Sequence, residues 1–487
     1  MTTKKTVKFG LATLLAVAVQ MAASGVEFTY DHILTETDTK NNANSLTTGH
    51  ADQNWSDGYT IQEGDEDVVL YVPAGMSART ISSTQTVVPI IYAAGCIYPR
   101  GSSGLPTTFN DLRLLDGGYI DGQQVGAKCG NITILSEDPE NPAQFLYHRS
   151  DTYGGKNFYF PMQARVSGSK DSQLLYTRYS TSGYGYLRLQ VDSDWSGFHG
   201  TLRIDDGLGV LNYASAPIDM PGTVRFGNGG ILWLTNASGP YSFGNLSFAD
   251  GGAITNTGSG ATLTVSGTFD TGTNCKWRSR NTGTFGTLIL GDGLALSDDQ
   301  NVPTTVFTVT NRLEVGNGVS VTYSSATVTE GLVPTKVLLM KLSPEAVTAG
   351  VPDLSRVAVS FSKLTLGEAS FLTTEPDPDA EGGLLVYATH DPAVYHIGPD
   401  EWKNSACAGY WLMPEKAADE WADGLYPGGE TRAMANLDTS TEMPNRSAAR
   451  STFSGTSTAS VRRQVSCNSE TRDRGRGSPP PNEKLKL

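Results

Sequence analysis

The chain has 487 residues, with 36 Lys and Arg against 50 Asp and Glu, so its formal net charge is −14. That balance excludes a nucleic-acid binder driven by basic charge and a protein held to anionic lipid by a basic patch. Only 18% of the residues are charged while 54 are glycine, which fits a fold made of many turns.

The amino end comes first. Lys4, Lys5 and Lys8 precede an apolar run from Phe9 to Val19, and Ala22, Ala23, Ser24 and Gly25 follow. This is the basic, apolar and small-residue order of a secretory signal peptide, and the run falls short of the roughly twenty residues of a membrane-spanning helix. Residues 1–25 are therefore predicted to be a signal peptide, the mature chain to start near Val26, and the protein to be extracellular, surface-exposed or periplasmic. No further apolar segment predicts a transmembrane helix. Residues 26–54 read as a polar lead.

Residues 55–336 carry the decisive pattern. Six stretches say nearly the same thing: Gly200-Thr-Leu202-Arg-Ile204, Gly222-Thr-Val224-Arg-Phe226, Gly244-Asn-Leu246-Ser-Phe248, Ala261-Thr-Leu263-Thr-Val265, Gly286-Thr-Leu288-Ile-Leu290 and Asn311-Arg-Leu313-Glu-Val315. Their starts are 22, 22, 17, 25 and 25 residues apart, the period of one coil of a solenoid. Apolar residues at i and i+2 share one face of a strand, and the polar residue between them faces away. An Asp-Gly or Asn-Gly after most copies supplies the positive φ that a sharp turn needs.

One such strand cannot bury enough apolar surface to offset its chain entropy, so the copies must stack. The expected fold is all-β, a right-handed single-stranded parallel β-helix. A β-sandwich or propeller is the competing fold, since strands and turns alternate there too.

Beyond the regular coils, strands at Val337 to Leu342, Val357 to Phe361 and Gly383 to Ala388 make residues 337–396 a closing block over an otherwise sticky edge. Trp55-Ser-Asp57-Gly58 recurs as Trp421-Ala-Asp423-Gly424, so residues 397–430 read as a linker and the opening of a second unit. From 431 to 487 the alternation stops, and ten Lys or Arg stand against five acids before Pro479-Pro480-Pro481. That composition predicts a disordered basic tail. We read it as the aborted or frame-shifted remnant of a longer protein; the rival is a basic tail that docks on acidic surface polymer.

Cys96, Cys129, Cys275, Cys407 and Cys467 lack metal-knuckle spacing, and their odd number leaves at least one unpaired. Either Cys96 and Cys129 form a bridge in an oxidising compartment, or these are small buried thiols. The nearest approach to an acid/base cluster is Asp192, Asp194, Asp205 and Asp206, with Arg188, Arg203 and Arg225 beside them. Most of these acids occupy turn positions, where Asp serves its own backbone. The Gly-Gly-x-Gly-x-Asp repeat of calcium-binding solenoids is absent. His390 and His396 flank Asp391-Pro392 without a nucleophile motif. Tyr176, Tyr179, Tyr184 and Tyr186 are either core fillers of the early coils or aromatic stacking groups for a ligand. No catalytic, cofactor-binding or metal-binding residue is assigned.

The run Leu187-Arg-Leu189-Gln-Val191-Asp-Ser-Asp-Trp195-Ser-Gly197-Phe198-His-Gly200-Thr-Leu202-Arg-Ile204-Asp-Asp-Gly207, continuing to Gly222-Thr-Val224, resembles the autotransporter-associated β-strand repeat of bacterial autotransporter-like passengers. The strands from Val337 to Ala388 look like those that finish such passengers, so the resemblance covers about residues 185 to 390. It implies a secreted or surface-exposed, often adhesive, passenger. Nothing after Ala388 alternates as a membrane barrel strand does, so self-export is not expected. The functional expectation is a non-catalytic surface for adhesion or envelope structure, with a cell-surface glycan or protein as partner and no nucleic acid. The alternative is a glycan-cleaving β-helix enzyme of the lyase or hydrolase type, which needs convergent carboxylates on an outer face.

Overall fold

The computed structural model describes most of residues 28–390, with breaks in the loops between strands, together with 394–396, 411–412 and 433–435. The predicted signal peptide, Cys407, Cys467, the second Trp-x-Asp-Gly copy and nearly all of the basic tail lie outside the described residues. Two compact units divide the chain. The larger holds residues 1–328, 336–363 and 370–389.

This larger unit is a parallel β-solenoid. Its strands form sheets of seven, nine and fourteen strands. Every pairing within them whose register is described is parallel, from His32–Ile33 with Leu70–Tyr71 to Ser320–Tyr323 with Ala358–Phe361. The competing sandwich is excluded, because strands of consecutive coils lie side by side in the same direction.

One coil shows how the sequence builds three sides. Ile218–Phe226 is a single long strand whose register shifts between Met220 and Thr223. Its first half has inward Ile218 and Met220, its second half has inward Val224 and Phe226, and all four are buried. A turn through Gly229, at φ 63°, leads into Ile231–Leu234 of the nine-stranded sheet.

The corner between the first two sides is closed by glycines that sit against the backbone of the coil before. A Cβ on Gly222 would lie 2.3 Å from the Gly200 carbonyl oxygen, and one on Gly244 would lie 1.9 Å from that of Pro221. No side chain fits there.

Stacking of the repeated phrase is direct. Leu202 pairs with Val224, Val224 with Leu246, Leu246 with Phe269, Phe269 with Leu288 and Leu288 with Leu313. The fourth copy differs from the sequence reading. Leu263 and Val265 pair with Tyr241 and Phe243 on the first side, and Gly267-Thr-Phe269 takes the place equivalent to Gly244-Asn-Leu246. Both sides of a coil are alternating strands, so apolar-x-apolar fits either; the corner glycine sets the phase. The short interval of 17 residues was the trace of this slip.

The core is an aromatic column. Phe226 and Phe248 stack at 4.5 Å, Trp277 and Phe307 at 4.7 Å, and Phe269 sits edge-on to Trp277 at 5.1 Å. Ring overlap along the stacking axis adds to the area buried.

Pairing begins upstream of the regular coils, inside the stretch read as a polar lead. Leu34, Leu46, Trp55 and Ile61 are almost fully buried, and Gln53 ties the segment together by donating to the Thr47 carbonyl and accepting from the Ile61 amide, both at 2.7 Å. Phe28 lies on the outside of the seven-stranded sheet, stacked on Tyr92 at 4.0 Å and edge-on to Tyr71 at 5.4 Å. The two tyrosines point outward, because their neighbours Leu70, Val72, Ile91 and Ala93 are fully buried on the inner face. Arg113 closes this satellite cluster, donating to the Tyr92 hydroxyl and pairing with Asp111 at 2.6 Å.

At the distal end, Thr335–Leu342 adds to the fourteen-stranded sheet by pairing Met340 with Phe307. Ser343 caps the short helix Pro344–Thr348, accepting from the Ala346 amide at 3.2 Å. Ala358–Phe361 extends the nine-stranded sheet, and Leu384–His390 the fourteen-stranded one. In the smaller unit, Val394–His396 pairs antiparallel with Trp411–Leu412 and parallel with Ala433–Ala435.

The cysteine alternatives resolve against a bridge. Cys96 and Cys275 are buried free thiols, and Cys96 lies in the fourteen-stranded sheet whereas Cys129 lies in the seven-stranded one. Burial pushes both thiols up to about 12, which keeps them protonated and inert at neutral pH.

Candidate functional site

The fold disperses the charged group that the sequence places close together. Asp194 lies on the seven-stranded sheet, where its carboxylate accepts from the Ser196 hydroxyl at 2.7 Å and amide at 3.0 Å, with Arg165 at 3.8 Å. Those Ser196 hydrogen bonds hold it below the usual carboxylate range. Arg188 is on the nine-stranded sheet, and Arg203 and Arg225 are on the fourteen-stranded sheet. Asp205 accepts from the Thr177 hydroxyl of the preceding coil. Asp192 lies outside the described residues. Asp194, Arg188 and Arg203 thus lie on three different sheets.

Asp206 belongs to a structural ladder. In successive turns stand Asp206, Asn228, Asp250, Thr273, Asp292 and Asn317, and Asn274, at φ 52°, takes the place that Gly251 and Gly293 hold in the neighbouring turns. The Asn228 amide N–H donates to Asp206 at 2.7 Å, the Asn274 side chain to Asp250 at 2.6 Å, and the Asn317 amide N–H to Asp292 at 2.6 Å. Like charges one rung apart would repel, and a neutral residue between each two acids, Asn228 or Thr273, removes that cost. The Asn274 and Thr273 hydrogen bonds hold Asp250 below the usual carboxylate range.

The remaining candidates part company. Tyr176 is fully buried, and desolvation pushes its hydroxyl well above the usual tyrosine range, so it is a core filler. Tyr186 is buried edge-on to Trp233 at 5.8 Å, while Tyr179 is 73% exposed. Tyr184 and the side chains of His390 and His396 lie outside the described residues. Among the described residues no group of three or more His, Cys, Asp or Glu could hold a metal ion, and no helix is long and apolar enough to cross a membrane.

What stacking does assemble is the outer surface beside the glycine corner. Thr201 pairs with Thr223 and Thr223 with Asn245; the Asn245 side-chain oxygen accepts from the Thr268 amide at 2.9 Å, and Thr268 pairs with Thr287. Across the corner, Ser242, Thr264, Thr284 and Thr308 form a second column in unbroken register. Two residues past Thr201 and Thr223, the guanidinium-bearing Arg203 and Arg225 are themselves register partners.

These columns present hydroxyl and amide groups at the rung spacing, about 4.8 Å. The sequence shows every member as the polar residue of an alternating strand. Which of them become neighbours depends on the corner phase, and the slip at Leu263 hides Thr268 from the first column.

No protein-family model, curated protein or solved structure matches the chain.

Proposed function

We propose that the chain is an exported, right-handed, autotransporter-like β-solenoid passenger that presents a non-catalytic surface for adhesion or envelope structure, with a cell-surface glycan or protein as its partner. The observation that carries this reading is the pair of hydroxyl and amide columns flanking the glycine corner. Such ladders repeat one hydrogen-bonding unit per coil, which suits a polymer with many hydroxyls and gives no reacting atom an acid and a base. Separation of Asp194, Asp205 and Arg188 onto different sides supports the same reading over glycan cleavage.

A glycan array probed with the mature chain, followed by product analysis of each bound polysaccharide, tests it. Binding with polymer length unchanged is expected. Shortening of any bound polysaccharide would turn the assignment to the enzyme.

A further inference from the structure

Arg203 and Arg225 face outward from adjacent coils in strict register, and Arg225 is exposed while Arg203 is half-buried. Like charges directly opposite each other on a sheet are destabilising. Several cationic side chains of this molecule are placed beside acids: Arg113 with Asp111, Arg312 with Glu314 and Lys336 with Glu375. For Arg203 and Arg225 no carboxylate partner stands among the described residues, although acids outnumber bases by 50 to 36. The acid two residues beyond Arg203, Asp205, accepts from the Thr177 hydroxyl of the preceding coil and forms no ion pair with Arg203 among the described residues. The Asp206 turn carboxylate accepts from the Asn228 amide.

Hydrogen-bonding groups lie alongside. On the same two strands, Thr201 and Thr223 occupy the neighbouring outward column. The Thr223 oxygen accepts from the Asn245 side chain at 3.3 Å, which leaves its hydroxyl proton to donate outward. Two guanidinium forks matched to oxyanions therefore adjoin a row of hydroxyls matched to a sugar ring's own.

We propose that Arg203 and Arg225, with Thr201 and Thr223, form a subsite for an acidic polysaccharide, the guanidiniums holding its sugar carboxylates and the threonines its hydroxyls. The inference rests on the binding-surface reading above and names the chemistry of its partner. An acidic polymer supplies the paired carboxylates that neither guanidinium has among the described residues, and successive acidic residues of the polymer can engage successive coils.

The test compares binding of the whole mature chain to polygalacturonate, to neutral dextran and to inorganic polyphosphate. The variants are Arg203→Gln with Arg225→Gln, Arg203→Lys with Arg225→Lys, and Arg312→Gln as a surface control. The account expects polygalacturonate binding to fall at least tenfold in the double glutamine variant, to fall less in the double lysine variant, and to hold in Arg312→Gln. The thermal midpoint of the glutamine variant should stay level or rise, because an opposed like-charge pair is gone. Unchanged polygalacturonate binding in the glutamine variant overturns the subsite. So does polyphosphate binding as tight as polygalacturonate, which would mean capture of any anion. Binding of dextran alone overturns the subsite while leaving the surface reading in place, and binding of no probe, with no hit on the glycan array, overturns both.

Discussion

Gly244→Ala is expected to destabilise the solenoid by about 3 kcal/mol, at the upper end of what overpacking costs in a packed interior. The added Cβ would meet the Pro221 carbonyl oxygen at 1.9 Å and that of Gly222 at 2.6 Å. Both are backbone atoms of the neighbouring coil, so no rotamer change relieves the clash and the coils must part. Gly75→Ala separates this effect from backbone strain. Gly75 has φ 77° and open space around it, so its alanine variant carries only the left-handed penalty of about 1–2 kcal/mol. Urea unfolding midpoints of the two variants measure the difference. Equal shifts would mean that the corner is not the close contact on which coil stacking depends.

Removing the central ring of the aromatic column is expected to cost about as much or more. Trp277 is 2% exposed and lies against Phe307 at 4.7 Å, Phe269 at 5.1 Å and Phe285 at 5.9 Å. Its replacement by alanine leaves a large cavity between neighbours that are themselves fixed by strand pairing, and such truncations cost about 3–5 kcal/mol. Trp277→Phe keeps part of the stacking and should lose far less. Tryptophan fluorescence cannot follow the variant at this position, so circular dichroism in urea is the appropriate readout. A loss below 1 kcal/mol for Trp277→Ala would contradict the column.

The fold was legible because its unit is local. Leu202 with Ile204 and Val224 with Phe226 mark an inward face without reference to anything distant, and the recurring glycine after them marks where each strand stops. Phase was harder. Leu263-Thr-Val265 satisfies the same alternation as Leu246-Ser-Phe248 yet sits on a different side of the coil, and only Gly267 at the corner distinguishes the two. The amino-terminal region hid more. Phe28 packs outside the sheet against Tyr71 and Tyr92, so apolar residues there fall on both faces and the alternation that signals a strand is blurred.

The candidate surface was half visible. Arg203 and Arg225 occur at the same place in copies of one phrase, so their adjacency follows from stacking. By contrast, the acidic group from Asp194 to Asp206 looks compact along the chain. A coil carries its residues around three sides within about twenty positions, so closeness in sequence there means separation in space. Asp206 illustrates the second reason: its hydrogen bond reaches Asn228, a partner that the reading of one turn alone does not contain.

Parallel stacking of successive phrases is the claim beneath all of this, and engineered cross-linking reads it most directly. Thr201 and Thr223 are outward register partners in adjacent strands, a separation of about 4.8 Å between strands that falls within the Cα distances a disulfide spans. Mild oxidation of the chain carrying Thr201→Cys with Thr223→Cys, followed by peptide mapping of the monomer, should yield a bridge between those two positions. Thr201→Cys with Ser247→Cys, two coils apart, should yield none. Failure of the first pair to bridge, or equal bridging by the second, would contradict the stack.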